Sequence, residues 1–239
     1  MAMIRRAAKL LLCATFAPAA ALAADWADLE GRIQFAYFTE DVRSLRSTLA
    51  SPANRTSTDA LTDYYLGLGE YRVLLLSIDR DRDAAKRAAE ACVDHLDAAN
   101  GAQRDFADGL ALQAACQSLL ATLKPWKAPL LTPRSNTLFA RAHMLAPRNP
   151  RVLLLEALAD KDAGTAHGKL QAAVEAFEAE RQRVAPIPSW GAAEAYAHLG
   201  RIDLERGDAV GARSELERAL LLAPDFALAR RLLATITAD

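Results

Sequence analysis

An all-α fold is what this sequence predicts, and three observations predict it. Alanine and leucine dominate, while glycine (11 of 239 residues) and aromatic residues (6%) are sparse. Ala and Leu lose little on entering a helix, and few residues here favour strands. Runs of alternating β-branched residues are absent, and apolar residues recur at helical spacing instead. The helical stretches are short and joined by short turns, which is the pattern of stacked antiparallel helix pairs. Hydrophobic residues at 52% and charged residues at 25% are ordinary for a globular chain. A chain of this length holds one large domain or two small ones, and either buries a real core.

The first 24 residues read as an export signal and not as part of the fold. Arg5, Arg6 and Lys9 form a positive start, an apolar run begins at Leu10, and Ala21-Leu22-Ala23 offers the small-x-small pattern of a cleavage site. The run of about 15 apolar residues is too short to cross a bilayer core of about 30 Å comfortably. Cleavage is therefore expected near Ala23 or Ala24, giving an exported, periplasmic chain with no integral membrane segment. Cys13 follows Leu12, where lipid attachment wants a small residue, so lipidation is not expected. Cleavage removes three of the 29 basic residues and leaves 26 against 30 acidic ones, a net charge of −4. No basic patch of the density that phosphate backbones require is present, which argues against a nucleic-acid partner.

Residues 25–123 form an N-terminal helical region. Residues 25–50 read as two short helices, with Trp26, Leu29, Ile33 and Tyr37 at helical spacing in the first. A polar loop with Pro52 follows. From about residue 58, Leu61, Tyr64, Tyr65, Leu68, Tyr71, Arg72 and Leu75 lay a broad apolar and aromatic stripe along a strong helix. Asp79-Arg80-Asp81 marks a turn, and helices are expected over 83–99 and 105–123. Residues 124–132, with Pro125, Trp126 and Pro129, read as a loop separating this region from residues 133–239. There Thr132-Pro133 and Asn149-Pro150 each restart a helix with a capping residue followed by proline. Leu170, Ala173, Val174 and Phe177 line the face of the next helix, Pro186 and Pro188 interrupt, and Ser189 caps its successor. The last two helices are separated at Pro224.

Two cysteines remain after cleavage, Cys92 and Cys116, and an even count in an oxidising compartment raises a disulfide. A turn at Asn100-Gly101 would offset them by about 8 Å along the hairpin at 1.5 Å per residue. A bond needs a Cα separation near 5.5 Å. That favours two buried thiols while leaving the bond open.

The chain is also self-similar. Phe139, Ala142 and Leu145-Ala146-Pro147 recur as Leu216, Ala219 and Leu222-Ala223-Pro224, displaced by 77 residues. Cys92, His95 and Asn100 form a fainter copy, displaced by 47 from Phe139, Ala142 and Pro147. The surplus over whole 34-residue units is expected in the loops around 124–132, 164–168 and 186–189. Within 193–226, Tyr196, Leu199-Gly200, Gly207, Ala212, Leu216, Ala219 and Pro224 fall in the register of the tetratricopeptide repeat family, which this chain resembles. Asp203 departs from that pattern, which prefers an aromatic residue there. The resemblance is carried by 193–226, partly by 133–182 and faintly by 58–123, with the helix from Asp225 as a cap. It implies a right-handed α-solenoid of antiparallel helix pairs whose concave groove holds a peptide or a partner helix. It implies no reaction, and no cofactor is expected.

In the resembling repeats first-helix side chains face the groove, which here implies Arg151, Leu154, Leu158, Lys161, Glu194, Arg201 and Leu204. Arg151 and Arg201 are then candidates to hold a partner's carboxylate in a two-pronged contact, against the plainer reading of solvated surface charges. Trp126 and Trp190 sit in proline-containing segments, either as exposed anchors for a partner or tucked back over a repeat end. The tyrosine stripe reads as core. Catalytic signatures are missing: there is no Gly-x-Ser-x-Gly, no His-Glu-x-x-His and no phosphate loop, and the four histidines are scattered singly. The expected function is a non-catalytic scaffold for another envelope protein. The alternatives are a solute-binding accessory of a transport system and, further off, an enzyme with an unrecognised site.

Overall fold

The computed structural model describes residues 19–51, 59–181 and 189–237. Most of the expected export signal, the loop at Pro52 and the interruption at Pro186 and Pro188 lie outside the described residues. Among them there are eleven α-helices and no strand: α1 (Ala19–Phe38), α2 (Val42–Leu49), α3 (Ala60–Ser77), α4 (Arg82–Ala102), α5 (Ala107–Leu123), α6 (Ala128–Leu145), α7 (Pro150–Ala159), α8 (Ala163–Arg181), α9 (Ala192–Glu205), α10 (Ala209–Leu222) and α11 (Ala227–Thr237). None is long and apolar enough to cross a membrane.

Adjacent helices pair, as short connections require. α3 lies along α4, α5 along α6, α7 along α8 and α9 along α10, with α11 covering the last pair and α1 and α2 packed on α3. The chain is thus an all-α stack of antiparallel pairs, a tetratricopeptide-like α-solenoid. Acidic and amide caps start its helices. Asp81 accepts from the backbone of Asp83 and Ala84, Asn149 from Arg151 and Val152 ahead of Pro150, and Asp208 from Gly211.

The pair α9/α10 shows why small residues recur. A Cβ on Gly200 would stand 2.9 Å from Leu216 Cγ and 3.0 Å from the Ala212 carbonyl oxygen, so only glycine permits this approach. Ala212, Leu216 and Ala219 are fully buried beneath it. Leu216 alone removes enough apolar surface to contribute about 2 kcal/mol. Ala166, Leu170 and Ala173 of α8 repeat the same small–large–small spacing and are buried in the same way.

Three expectations are corrected. Residues 124–132 are not a loop: a single 3₁₀ turn, Pro125–Lys127, leads directly into α6, which carries Pro133 inside it. The missing amide of Pro133 costs one early hydrogen bond. Buried Leu131 and the Ser135 hydroxyl, which donates to the Ala114 carbonyl at 2.8 Å, anchor the same turns to α5. Residues 164–168 are likewise helical, inside α8, with Asp162 accepting from the Thr165 amide. The surplus residues of the earlier repeats therefore go into helix length, since α4, α5 and α6 have 21, 17 and 18 residues against 14 in each of α9 and α10.

The third correction concerns the cysteines. Cys92 and Cys116 are bonded, with Cα atoms 6.3 Å apart, joining α4 to α5. α4 runs through Asn100-Gly101 to Ala102, because Asn100 donates its amide across to Gln113 of α5 at 2.9 Å and does not end the helix. Ala102 ends α4 ten residues after Cys92, and Ala107 begins α5 nine residues before Cys116. With the turn placed there, the two cysteines sit level across the hairpin.

Candidate functional site

The inner side of the stack is closed by its own side chains. Arg72 of α3 meets Glu194 of α9 in an ion pair whose two side chains are each 2% exposed. Gln34 of α1 bridges the same pair, donating to Glu194 Oε1 at 3.0 Å and accepting from Arg72 Nε at 3.1 Å. The Arg72 guanidinium lies 4.2 Å from the Tyr37 ring centroid and 4.9 Å from that of Trp190, which adds cation–π attraction on both sides. Glu30, one turn before Gln34, accepts from the Tyr65 hydroxyl at 2.8 Å and from the Ser189 amide and hydroxyl. Helix α1 is therefore fastened both to α3 and to the start of α9. Burial raises the Tyr37 phenol to about 12, so it stays neutral.

A second buried cluster lies beside the first. Arg151, at the start of α7, donates Nε to Asp108 of α5 at 2.6 Å and both terminal nitrogens to Glu180 of α8 at 3.1 and 2.7 Å. Burial pulls the guanidinium pKa down, but Asp108 and Glu180 outweigh it and hold Arg151 firmly charged. Asn149 donates to the other oxygen of Asp108 at 2.9 Å, so the cap of α7 belongs to the same network. Trp190 is buried, with Nε1 donating to the Tyr64 hydroxyl at 2.8 Å. The ion-paired residues of both clusters are far apart in sequence, and the packing of α1, α3, α5, α7, α8 and α9 brings the clusters together.

The residues expected in a groove divide accordingly. Arg151 does make a two-pronged carboxylate contact, but with Glu180 of its own chain. Glu194 and Leu154 are buried, and Leu204 is half-buried against the core formed by Tyr196, Leu216 and Phe226. Arg151, Leu154 and Glu194 are therefore corrected as groove residues open to a partner, because their side chains are buried within the stack. Leu158, Lys161 and Arg201 do come together, at an open hollow of about 220 Å³ between α7, α8 and α9. Arg201 there pairs with Glu205 at 2.5 Å. Trp190 tucks back, whereas Trp126 is 70% exposed. Tyr64, Tyr65 and Tyr71 are core, and the hydroxyls of the first two bond within the chain.

A further hollow lies between α8 and the α6–α7 connection with the start of α7. It encloses about 830 Å³ and opens to solvent. Ala172, Ala176 and Ala179 of α8 form one wall, and Pro147, Pro150 and Leu153 the other. Met144, 76% exposed, stands at the end of α6, two residues ahead of Ala146 in the chain, and Leu221, 82% exposed, lines a smaller hollow of about 460 Å³ between α8 and α10. Met144 and Leu221 occupy the same register of the 77-residue repeat, so an exposed apolar side chain recurs near the ends of α6 and α10. The sequence held a signal for it: the alanines recur at i, i+4 and i+7, one face away from Leu170, Ala173 and Phe177. Among the described residues no group of three His, Cys, Asp or Glu is placed to hold a metal ion.

No family model and no curated protein matches this chain. Among solved structures it is similar to a chain in the crystal structure of the APC/C hetero-tetramer Cut9-Hcn1, at 11% identity and a TM-score of 0.24. That match covers 84% of this chain and 47% of the other, so this chain spans about half the length of the protein it matches.

Proposed function

We propose that this protein is an exported, non-catalytic scaffold that docks a peptide segment or helix of another envelope protein along its outer face. One observation carries the reading: the open hollow of about 830 Å³ between α8 and the α6–α7 connection, walled by alanine and proline with Arg148, Glu175 and Glu180 at its edges, and with exposed Met144 two residues ahead of Ala146 in the chain. Small wall residues let a helix or extended strand approach closely, while exposed apolar side chains of this size supply the area such a contact needs. The inner face is not the docking surface in this reading, because α1 and the Arg72–Glu194 pair fill it. Export fits the contacts of α1: the expected cleavage at Ala23 or Ala24 lies ahead of Trp26, which stacks on Tyr65. A bonded Cys92–Cys116 pair also suits an oxidising compartment.

The test is selection of displayed peptides against the purified protein, followed by calorimetry and by photo-crosslinking from position 176. Peptides should crosslink at 176, and Ala176→Arg should weaken them at least tenfold while leaving the melting temperature within a few degrees. Peptides that bind Ala176→Arg as well as the parent, or crosslink only from the α7–α9 hollow, would refute the docking surface.

A further inference from the structure

The tip between α5 and α6 differs in chemistry from the rest of the surface. From Thr122 to Arg134 the chain carries Lys124, Lys127 and Arg134 and no acidic residue, although the whole chain is net negative. Trp126 and Leu130, 70% and 54% exposed, project from it one helical turn apart. Pro125, Pro129 and Pro133 are exposed around them and stiffen the corner. Lys124 and Lys127 share a single carboxylate, Glu90, with Lys127 Nζ at 3.5 Å. Arg134 has no carboxylate within pairing distance among the described residues. Arg82 adds a fourth cation, its Nη2 donating to the Leu123 carbonyl at 3.4 Å. Glu90 is thus the one carboxylate paired with Lys124 and Lys127 beneath two projecting apolar side chains, while Asp81 and Asp83 flank Arg82 at the edge of the tip.

We propose that this tip is a peripheral membrane contact that seats the protein on an anionic phospholipid surface. Tryptophan and leucine enter the headgroup boundary, where an amphipathic indole is most at home, and the flanking lysines and arginines meet lipid phosphates. The shape favours a bilayer over an acidic protein. A stable protein interface takes about 800 Å² from each partner, whereas the end of one helix hairpin offers a narrow projection suited to insertion into a yielding surface. Each cation near an anionic bilayer strengthens partition by about fivefold, so a single Trp126–Leu130 wedge needs the charges beside it. The docking hollow between α8 and the α6–α7 connection involves different residues, so the two proposals stand or fall separately.

Vesicle flotation decides the matter, with the protein mixed with phosphatidylglycerol–phosphatidylcholine vesicles at 1:1 or with phosphatidylcholine alone in 50 mM salt. The protein should float with the anionic vesicles only, leave them in 0.5 M salt, and lose at least tenfold in partition as Trp126→Ala or as Lys127→Glu/Arg134→Glu. Brominated lipid should quench its fluorescence, and the quenching should vanish in Trp126→Phe, because Trp190 is buried and Trp26 stacks on Tyr65. These positions are exposed, so circular dichroism should show each variant folded. No flotation with anionic vesicles, equal flotation of Trp126→Ala, or binding to an acidic peptide without binding to vesicles would each overturn the proposal.

Discussion

Replacing Glu194 by alanine should destabilise the protein more than removing the whole ion pair. Glu194 is the acceptor for both Arg72 and Gln34, and the Arg72 and Glu194 side chains are each 2% exposed. Leaving a buried charge without its partner costs about 3–5 kcal/mol. The Tyr37 and Trp190 rings at 4.2 and 4.9 Å still face the stranded guanidinium, which places the expected loss near the lower end, about 3 kcal/mol. For a chain of this size that is a fall of about 6–12 °C in melting temperature. Arg72→Met/Glu194→Leu removes both charges at similar volume and should cost about 1–2 kcal/mol, chiefly for the Gln34 amide that loses both partners. Urea unfolding followed by circular dichroism at 222 nm gives all three free energies, and Arg72→Met completes the cycle. A Glu194→Ala cost below about 1 kcal/mol, or a double variant losing the sum of both singles, would refute the reasoning. Hydrogen exchange should also quicken in α1 of Glu194→Ala, because Gln34 loses its acceptor.

Reduction of Cys92–Cys116, which are 24 residues apart in sequence, should remove about 3.5 kcal/mol of stability on the chain-entropy account. A reductant-dependent fall in melting temperature that is absent in Cys92→Ala/Cys116→Ala checks it. Gly200→Ala should cost about 1–3 kcal/mol, since its Cβ would press on Leu216 and the Ala212 carbonyl. Gly168→Ala, mid-helix in α8 with open space around it, should stabilise by about 1 kcal/mol, both read by urea titration. Burial, with Arg201 and Arg72 nearby, pushes the His198 imidazole from 6.5 down to about 3. The unfolded chain therefore binds a proton that the folded chain refuses between those values. This group's contribution is intact above about pH 6.5 and is lost as pH falls toward 3, at up to about 1.4 kcal/mol per pH unit. His198→Gln should flatten that slope in melts taken from pH 7 to 4, and an unchanged slope would exclude His198 as its source.

Helix content and the pairing of α9 with α10 were legible in the sequence, because Ala, Leu, Gly200 and the caps act through neighbours within one or two turns. Asn149-Pro150 starts a helix wherever it occurs, and a small–large–small spacing seats one helix against the next. The same local signals misjudged 124–132, where proline spoke for a break while Leu131 and Ser135, packed on α5, held the helix together. They also misplaced the cysteines, since a turn set a few residues too early shifts partners along a hairpin by several ångströms. Trp126 and Trp190 stand in similar proline-containing surroundings, yet one projects and the other is buried on Tyr64. Arg151 and Glu194 look like groove residues on any helical wheel. What takes them inward is Asp108, 43 residues from Arg151, and Arg72 and Gln34, 122 and 160 residues from Glu194. By itself the sequence determined that the chain is helical and which face of most helices is apolar, though not where every helix begins and ends, because backbone hydrogen bonds and periodic burial are short-range. Only the tertiary structure decided that α1 fills the inner face, leaving the outer hollow and the Trp126 tip exposed. A charge has no destination until distant helices bring its counterion and the hydrogen-bond and aromatic partners that offset its desolvation.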